Sequence, residues 1–338
     1  MTTHALVSDC IFIPGQPAIP ELSFRRFRGD PDYPKMVTVI QGCKDFDHIE
    51  RVDSVEDVAR FYSHLVNCNP YEDMVFAEVD GQVIGYNRID WRMEVEGNRI
   101  YRHFGFLLPE WRRKGIGGAM LRQAERRIRQ ITAVHPGGIP CFYESFAADS
   151  EVGCEALLRS EGYAPFRHSL RMVRSNLEDI PSCPLPPGME IRPVQREHLD
   201  AIHAASLEAF QDHWGFSPET EPTIAQWLED PIIDFSLWRV AWDGEQVSGM
   251  VLSFINKKEN EEYNRQRGWT ENICVRKPWR KNGLARALIA ASLRELKVRG
   301  MTEAALGVDT DNHSGALHLY KSMGYRADKR FSIYRKSF

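Results

Sequence analysis

The chain has 338 residues, about twice the usual length of one domain, so two domains of similar size are expected. Its 43% hydrophobic and 27% charged residues exclude disorder and fibrous structure. Forty-three Lys and Arg against 47 Asp and Glu leave a net charge of -4, which argues against nucleic acid as a partner.

From the N-terminus, MTTHALVSDCIFIPGQ lacks a basic leader, and Asp9 and Pro14 interrupt its apolar stretch. No later segment offers 18 uninterrupted apolar residues, so a soluble, cytoplasmic protein with no membrane partner is expected. The seven cysteines are scattered without a paired spacing, so neither a disulfide framework nor a metal site is expected. Residues 30–66 read as two helices lining a cleft. Strands follow in DMVFAEVDGQVIGYNRIDW and YRHFGFL, then a helix from Ile116 to Ile131, the strand CFYESFA, and a helix from Glu155 to Ser160. Pro181, Pro184, Pro186 and Pro187 mark a semi-rigid join. The expected division is therefore a first domain over 1–176, a linker over 177–187 and a second domain over 188–338.

The second half repeats this order of elements. MEIRPV is a strand, Arg196 to Phe210 a helix, and LWRVAWDGEQVSGMVLSFIN a hairpin about Asp243-Gly244. WTENICV is a strand whose alternation places Trp269, Glu271, Ile273 and Val275 on one face. A helix from Leu284 to Lys297, the strand EAALGV and a helix from Gly315 to Met323 complete it. Each half is an α/β unit.

The chemistry begins at two turns, Arg112-Arg113-Lys114-Gly115-Ile116-Gly117 and Arg280-Lys281-Asn282-Gly283-Leu284-Ala285-Arg286. Both fit the pattern Gln/Arg-x-x-Gly-x-Gly/Ala, which chance alone places about 0.3 times in a chain this long. Each turn follows a strand and opens a long helix. Small residues there let the backbone approach a ligand, and the free amides of the first helical turn face it, which suits a pyrophosphate.

On these turns, and on VRKPWRKNGLARALI and GVDTDNHSGALHLYKSMGY, nearly the whole chain resembles the GNAT superfamily of acyl-CoA-dependent N-acetyltransferases as two tandem copies. The latter stretch and EAFQDHWGF are similar to the mycothiol synthase-like branch. The resemblance implies a mixed, splayed β-sheet flanked by helices, with acetyl-CoA as acyl donor. It implies that Arg280, Lys281, Asn282, Gly283, Leu284, Ala285 and Arg286 hold the cofactor together with the backbone of Val275. Arg112, Gly115 and Gly117 are the corresponding residues of the first copy.

The resemblance also gives Tyr320 the role of general acid toward the departing thiolate and makes Glu271 the candidate base, with His213 and His313 as substitutes. Asn312 reads either as a pantetheine contact or as a helix cap. Tyr320 aligns without a gap with Leu158; anchored on Pro109 and Pro278, Glu271 aligns with Arg102. The first copy is therefore expected to be silent. Asp212, His213 and Trp214 are expected to bind a small polar amine, Asp212 and Trp214 cradling its ammonium by charge and cation-π contact. A protein N-terminus or lysine as acceptor, and a CoA-binding sensor or docking module without turnover, are the alternatives.

Overall fold

The computed structural model describes residues 9–311 and 315–338. By compactness the described residues divide into one unit, up to Phe166 together with Ser332–Phe338, and a second, Arg167–Phe331. Among the described residues, no helix is long and apolar enough to cross a membrane.

The first unit opens with β1 (Cys10–Ile11) and β2 (Leu22–Arg25), followed by α1 (Tyr33–Asp47), α2 (Val55–Ser63) and the single turn α3 (Pro70–Asp73). Ser54 and Asp57 form a reciprocal cap on α2, satisfying amides that the helix leaves orphaned. Then come β3 (Met74–Val79), β4 (Gln82–Met93), β5 (Arg99–Leu107), α4 (Ile116–Val134), β6 (Cys141–Ala148), α5 (Val152–Ser160) and the start of β7 (Ala164–Arg174). Strands β1 to β5 pair antiparallel in chain order, and β5 runs parallel to β6.

The second unit has β8 (Met189–Arg192), α6 (Leu199–Phe210), α7 (Ile224–Glu229), β9 (Arg239–Asp243), β10 (Gln246–Phe254), α8 (Lys257–Glu262) and β11 (Arg267–Val275). It closes with α9 (Leu284–Val298), β12 (Glu303–Asp309), α10 (Ala316–Ser322) and the start of β13 (Arg326–Ser337). Its sheet order is β8-β9-β10-β11-β12-β7, with β11 and β12 parallel. That parallel ladder stops after Trp269↔Ala305, while β11 continues to Val275 and β12 to Asp309. The two strands splay beyond that point.

Pairing across the sheet, and not chain order, decides which unit holds the last strand of each half. Ser169 to Arg174 of β7 pair antiparallel with Asp309 to Ala304 of β12, so this part of the first half is built into the second unit. The end of β13 belongs to the first unit, where Arg335 Nε donates to Glu144 of β6 at 2.8 Å. The proline-rich segment is likewise not a free connector. Leu177 is buried in the core under α9, with Ile180, Cys183 and Leu185 packed against it, and Arg294 donates to the Pro181 carbonyl at 2.8 Å.

Candidate active site

The turn before α9 has the backbone that its glycine suggests. Lys281 and Gly283 both take positive φ, 66° and 93°, and Gly283 caps the helix with no side-chain hydrogen bond of its own. Arg113 and Gly115 repeat this geometry at 62° and 83°. Positive φ is cheap for glycine and strained for β-branched residues. A Cβ built on Gly283 would meet nothing within 4 Å. Lys281, Asn282 and Arg286 are exposed around this opening, Ala285 is half-buried, and Leu284 is buried as the anchor of the helix. Asn282 Oδ1 accepts from the Leu284 amide at 3.1 Å, leaving the other first-turn amides for a ligand. An open loop, unmatched amides and flanking cations fit a pyrophosphate.

Arg280, though exposed, folds back from this loop onto backbone carbonyls. Its Nε donates to the Val275 carbonyl at 2.9 Å and Nη2 to the Ala209 carbonyl at 3.2 Å, tying the end of β11 to the end of α6. Asp212 supports the tie: it meets Lys277 at 3.0 Å and Arg280 at 3.4 Å. Lys277 foremost, then Arg280, lower the Asp212 carboxyl below its usual range. Asp212 is thus engaged by two cations of its own chain.

A β-bulge shapes the next layer. Opposite β10, the register moves from Met250↔Cys274 to Leu252↔Glu271, so β11 carries one extra residue, and Asn272 there has φ 46°. Simple alternation fails across a bulge. Val275 and Ile273 pack on the α9 core, whereas Glu271 lies opposite Leu252, which belongs to the α6 core. The expectation that Glu271 and Val275 share a face is therefore corrected.

Glu271 reaches across the splay, where its Oε1 accepts from the Gly307 amide at 3.1 Å. It sits in a recess, half-buried yet surrounded by protein, and burial pushes its carboxyl up to about 7 against the smaller lowering effect of Gly307. Tyr320 on α10 is 7% exposed. Burial first, and then the charges of Glu271 and Cys274, raise its phenol above the usual range. Tyr320 and Glu271, 49 residues apart in the chain, are thus close enough for the charge of one to act on the other. Cys274 beside them is buried and pushed up to about 12 by desolvation. Below the same helix Tyr325 and Thr270 share a hydrogen bond of 2.7 Å.

The same positions in the first unit differ. Arg112 Nε donates to the Leu107 carbonyl as Arg280 does to Val275, and Leu107↔Gly85 matches Val275↔Gly249. Counting through the bulge, Arg88↔Phe104 then matches Leu252↔Glu271. Phe104, not Arg102, stands in the place of Glu271. The proline anchor misleads because Pro109 lies three residues before Arg112 and Pro278 two before Arg280; aligning the glycine motifs would have removed that part of the error. Arg102 pairs instead with Asp90 at 2.6 Å. Leu158 is buried in the core under α4. Arg112 is held by both oxygens of Asp47 at 2.6 and 2.7 Å. Gly115 is exposed like Gly283, but a Cβ on it would touch Pro17 at 3.6 Å, and one on Gly117 would press on Leu157 at 3.3 Å.

Around the remaining expected residues the geometry is mixed. The His213 ring stands edge-on to Phe210 at 4.5 Å, and burial foremost, with Arg280, lowers its pKa. Trp214 already has a cation, since the Arg167 guanidinium lies 4.7 Å from its ring while pairing with Asp309 at 2.7 Å. Arg167 was missed from the sequence because it sits on β7, in the stretch read as the first half. Asn312 and His313 lie outside the described residues. Among the described residues, no group of three His, Cys, Asp or Glu could hold a metal ion.

Comparison with known proteins decides the family. The model described as "Acetyltransferase (GNAT) family" matches residues 199–325, and that described as "Acetyltransferase (GNAT) domain" matches residues 70–146. The chain belongs to the GNAT superfamily. It is 27% identical over 229 residues to a mycothiol acetyltransferase of Catenulispora acidiphila, covering 65% of this chain and 67% of that relative. A mycothiol acetyltransferase of Geodermatophilus obscurus is 26% identical over 263 residues, covering 75% and 78%. In fold, this GNAT chain resembles a GCN5-related N-acetyltransferase from Sphaerobacter thermophilus, with TM-score 0.70, 23% identity and coverage of 94% and 96%. It also resembles a tandem GNAT protein from the clavulanic acid biosynthesis pathway, with TM-score 0.66, 14% identity and coverage of 94% and 98%. Two GNAT domains in one chain make it an N-acetyltransferase of the tandem type.

Proposed function

We propose that the second unit transfers an acetyl group from acetyl-CoA to the primary amine of a small polar molecule by direct attack in a ternary complex. The observation that carries this reading is that Glu271 and Tyr320 lie within electrostatic reach of each other in the unit whose long helix α9 opens on the uncovered turn at Gly283. Bound there, acetyl-CoA supplies an activated acyl thioester. The first-turn amides of α9 with Lys281 and Arg286 hold its pyrophosphate, and the splay of β11 from β12 admits its arm. Glu271, titrating near neutrality, takes the proton of the attacking amine. As the amide bond forms and the thioester bond breaks, Tyr320, kept protonated until then by burial, would give its proton to the departing CoA thiolate. Direct attack is favoured over an acyl-cysteine because burial keeps Cys274 a thiol, a poor nucleophile.

The first unit is proposed to be silent. Leu158 and Phe104 offer no proton path, and Arg112 is committed to Asp47. The relatives named mycothiol acetyltransferase support a small-molecule acceptor. The test is purified chain with acetyl-CoA and a panel of small amines, amino sugars and lysine peptides, followed by free-thiol release. Amine-dependent release is expected with small polar amines. Release by peptides alone would move the acceptor to proteins, and none with any amine would leave a CoA-binding module.

A further inference from the structure

The first unit holds a buried cation that its own residues do not neutralise. Arg88 on β4 is 4% exposed, and its guanidinium carbon lies 4.5 Å from the ring of Phe104, 4.9 Å from that of Phe61 and 5.3 Å from that of Tyr62. Nη2 reaches Asp90 Oδ2 at 3.3 Å, while Nε and Nη1, both out of contact with solvent, have no hydrogen-bond acceptor. The other oxygen of Asp90 is taken by Arg102 at 2.6 Å. Two guanidiniums therefore share one carboxylate.

The remaining neighbours add no unmatched negative charge: Asp73, which also acts on Cys68, is paired with Arg127 at 2.8 Å, and the Tyr62 hydroxyl turned toward Arg88 is neutral. Arg51 has its own partner in Asp53 at 2.6 Å, and desolvation pushes both Tyr62 and Cys68 up to about 12, keeping them neutral. Arginine does not shed its proton, so this site cannot relieve the imbalance by deprotonation as a buried lysine would. The ring faces compensate only in part. A buried donor without an acceptor calls for a missing partner.

The place is telling. Arg88 and Phe104 are the pair that corresponds to Leu252 and Glu271, so where the second unit sets a proton-accepting carboxylate, the first sets a fixed positive charge among aromatic rings. We propose that the first unit binds a small monocarboxylate, its carboxylate on Arg88 and its apolar body against Phe61 and Phe104. One unmatched positive charge asks for one negative charge, and a dianion would reverse the imbalance. The neighbours of the guanidinium are rings, which suits an apolar body over an inorganic ion. Phe61, 56% exposed at the end of α2, is the most exposed of these rings. This proposal does not depend on where turnover occurs.

The experiment uses the full chain with sodium benzoate and sodium acetate, sodium chloride at matched ionic strength as control, and sodium phosphate as the competing chemistry. Thermal midpoints and calorimetric titrations are read. The expected result is a midpoint raised by benzoate more than by acetate and unmoved by chloride. Arg88→Met is expected to be more stable than the parent without any carboxylate, and to bind benzoate at least about 10-fold more weakly, the weight of one charge-assisted contact. Phe61→Ala, at an exposed position, keeps the fold and weakens benzoate about 3- to 10-fold, so the test survives if Arg88→Met does not fold. The proposal is overturned if neither carboxylate binds the parent chain, if either variant keeps full benzoate affinity, or if phosphate or chloride matches benzoate.

Discussion

Replacing Glu271 by glutamine tests the proposed chemistry most directly, because glutamine keeps an acceptor for the Gly307 amide and removes only the titration. A base titrating at about 7 is roughly one-tenth ionised at pH 6 and nine-tenths at pH 8, so kcat/KM should rise about 10-fold over that interval. An ordinary carboxylate would leave it flat. The acceptor amine has its own pH limb, so the decisive measurement is the difference between the parent and Glu271→Gln in thiol release. The limb near 7 should vanish in the variant, with kcat/KM at pH 8 lowered by about 10²- to 10⁴-fold. Stability gives an independent reading. A carboxyl raised from 4.5 to about 7 binds more protons in the folded state across that window, so folding weakens as pH rises through it, by about 3 kcal/mol in all. Glu271→Gln should therefore stabilise the fold toward denaturant by up to about 3 kcal/mol at pH 8 and hardly at all at pH 4. The reasoning is refuted if the parent profile is flat from pH 6 to 8, or if its limb persists unchanged in the variant.

Other substitutions separate binding from chemistry. Tyr320→Phe should lower kcat by about 10- to 1,000-fold with little change in acetyl-CoA affinity, measured by calorimetry; an equal loss of affinity would place the hydroxyl in binding. Gly283→Val should abolish turnover by closing the open turn, while Gly115→Val in a folded chain should leave it largely intact, because Leu158 and Phe104 stand where the second unit has Tyr320 and Glu271. If each halved the rate, both units would be turning over. Asp212→Ala should raise the dissociation constant for acetyl-CoA about 3- to 10-fold by loosening Arg280, with the amine KM little changed; the opposite split would return Asp212 to the acceptor site.

Local rules made much of this protein legible in its sequence. A glycine opening each long helix, the apolar stripe from Leu284 to Leu296, the Asp243-Gly244 hairpin and the tandem order of elements are properties of short stretches, and each appears in the structure. The GNAT resemblance followed from them, as did Tyr320 against Leu158, because that helix aligns without insertion. What depended on a partner strand was hidden. A bulge exists only relative to the strand opposite, so the extra residue at Asn272, which turns Glu271 away from the face of Val275 and sets Phe104 in its counterpart's place, could not be read from alternation along β11. The pairing of β7 with β12, which brings Arg167 to Trp214 and Asp309, is a choice among distant strands that no local propensity makes. Charge behaves likewise. Asp212 looked available to an ammonium until folding set Lys277 and Arg280 beside it, and nothing in the sequence marks Arg88 as the cation that folding buries among rings beside a shared carboxylate. Sequence determines which groups exist and which helix or strand carries them; only tertiary packing decides which charge finds its partner, because ion pairs and registers are set by distances in space.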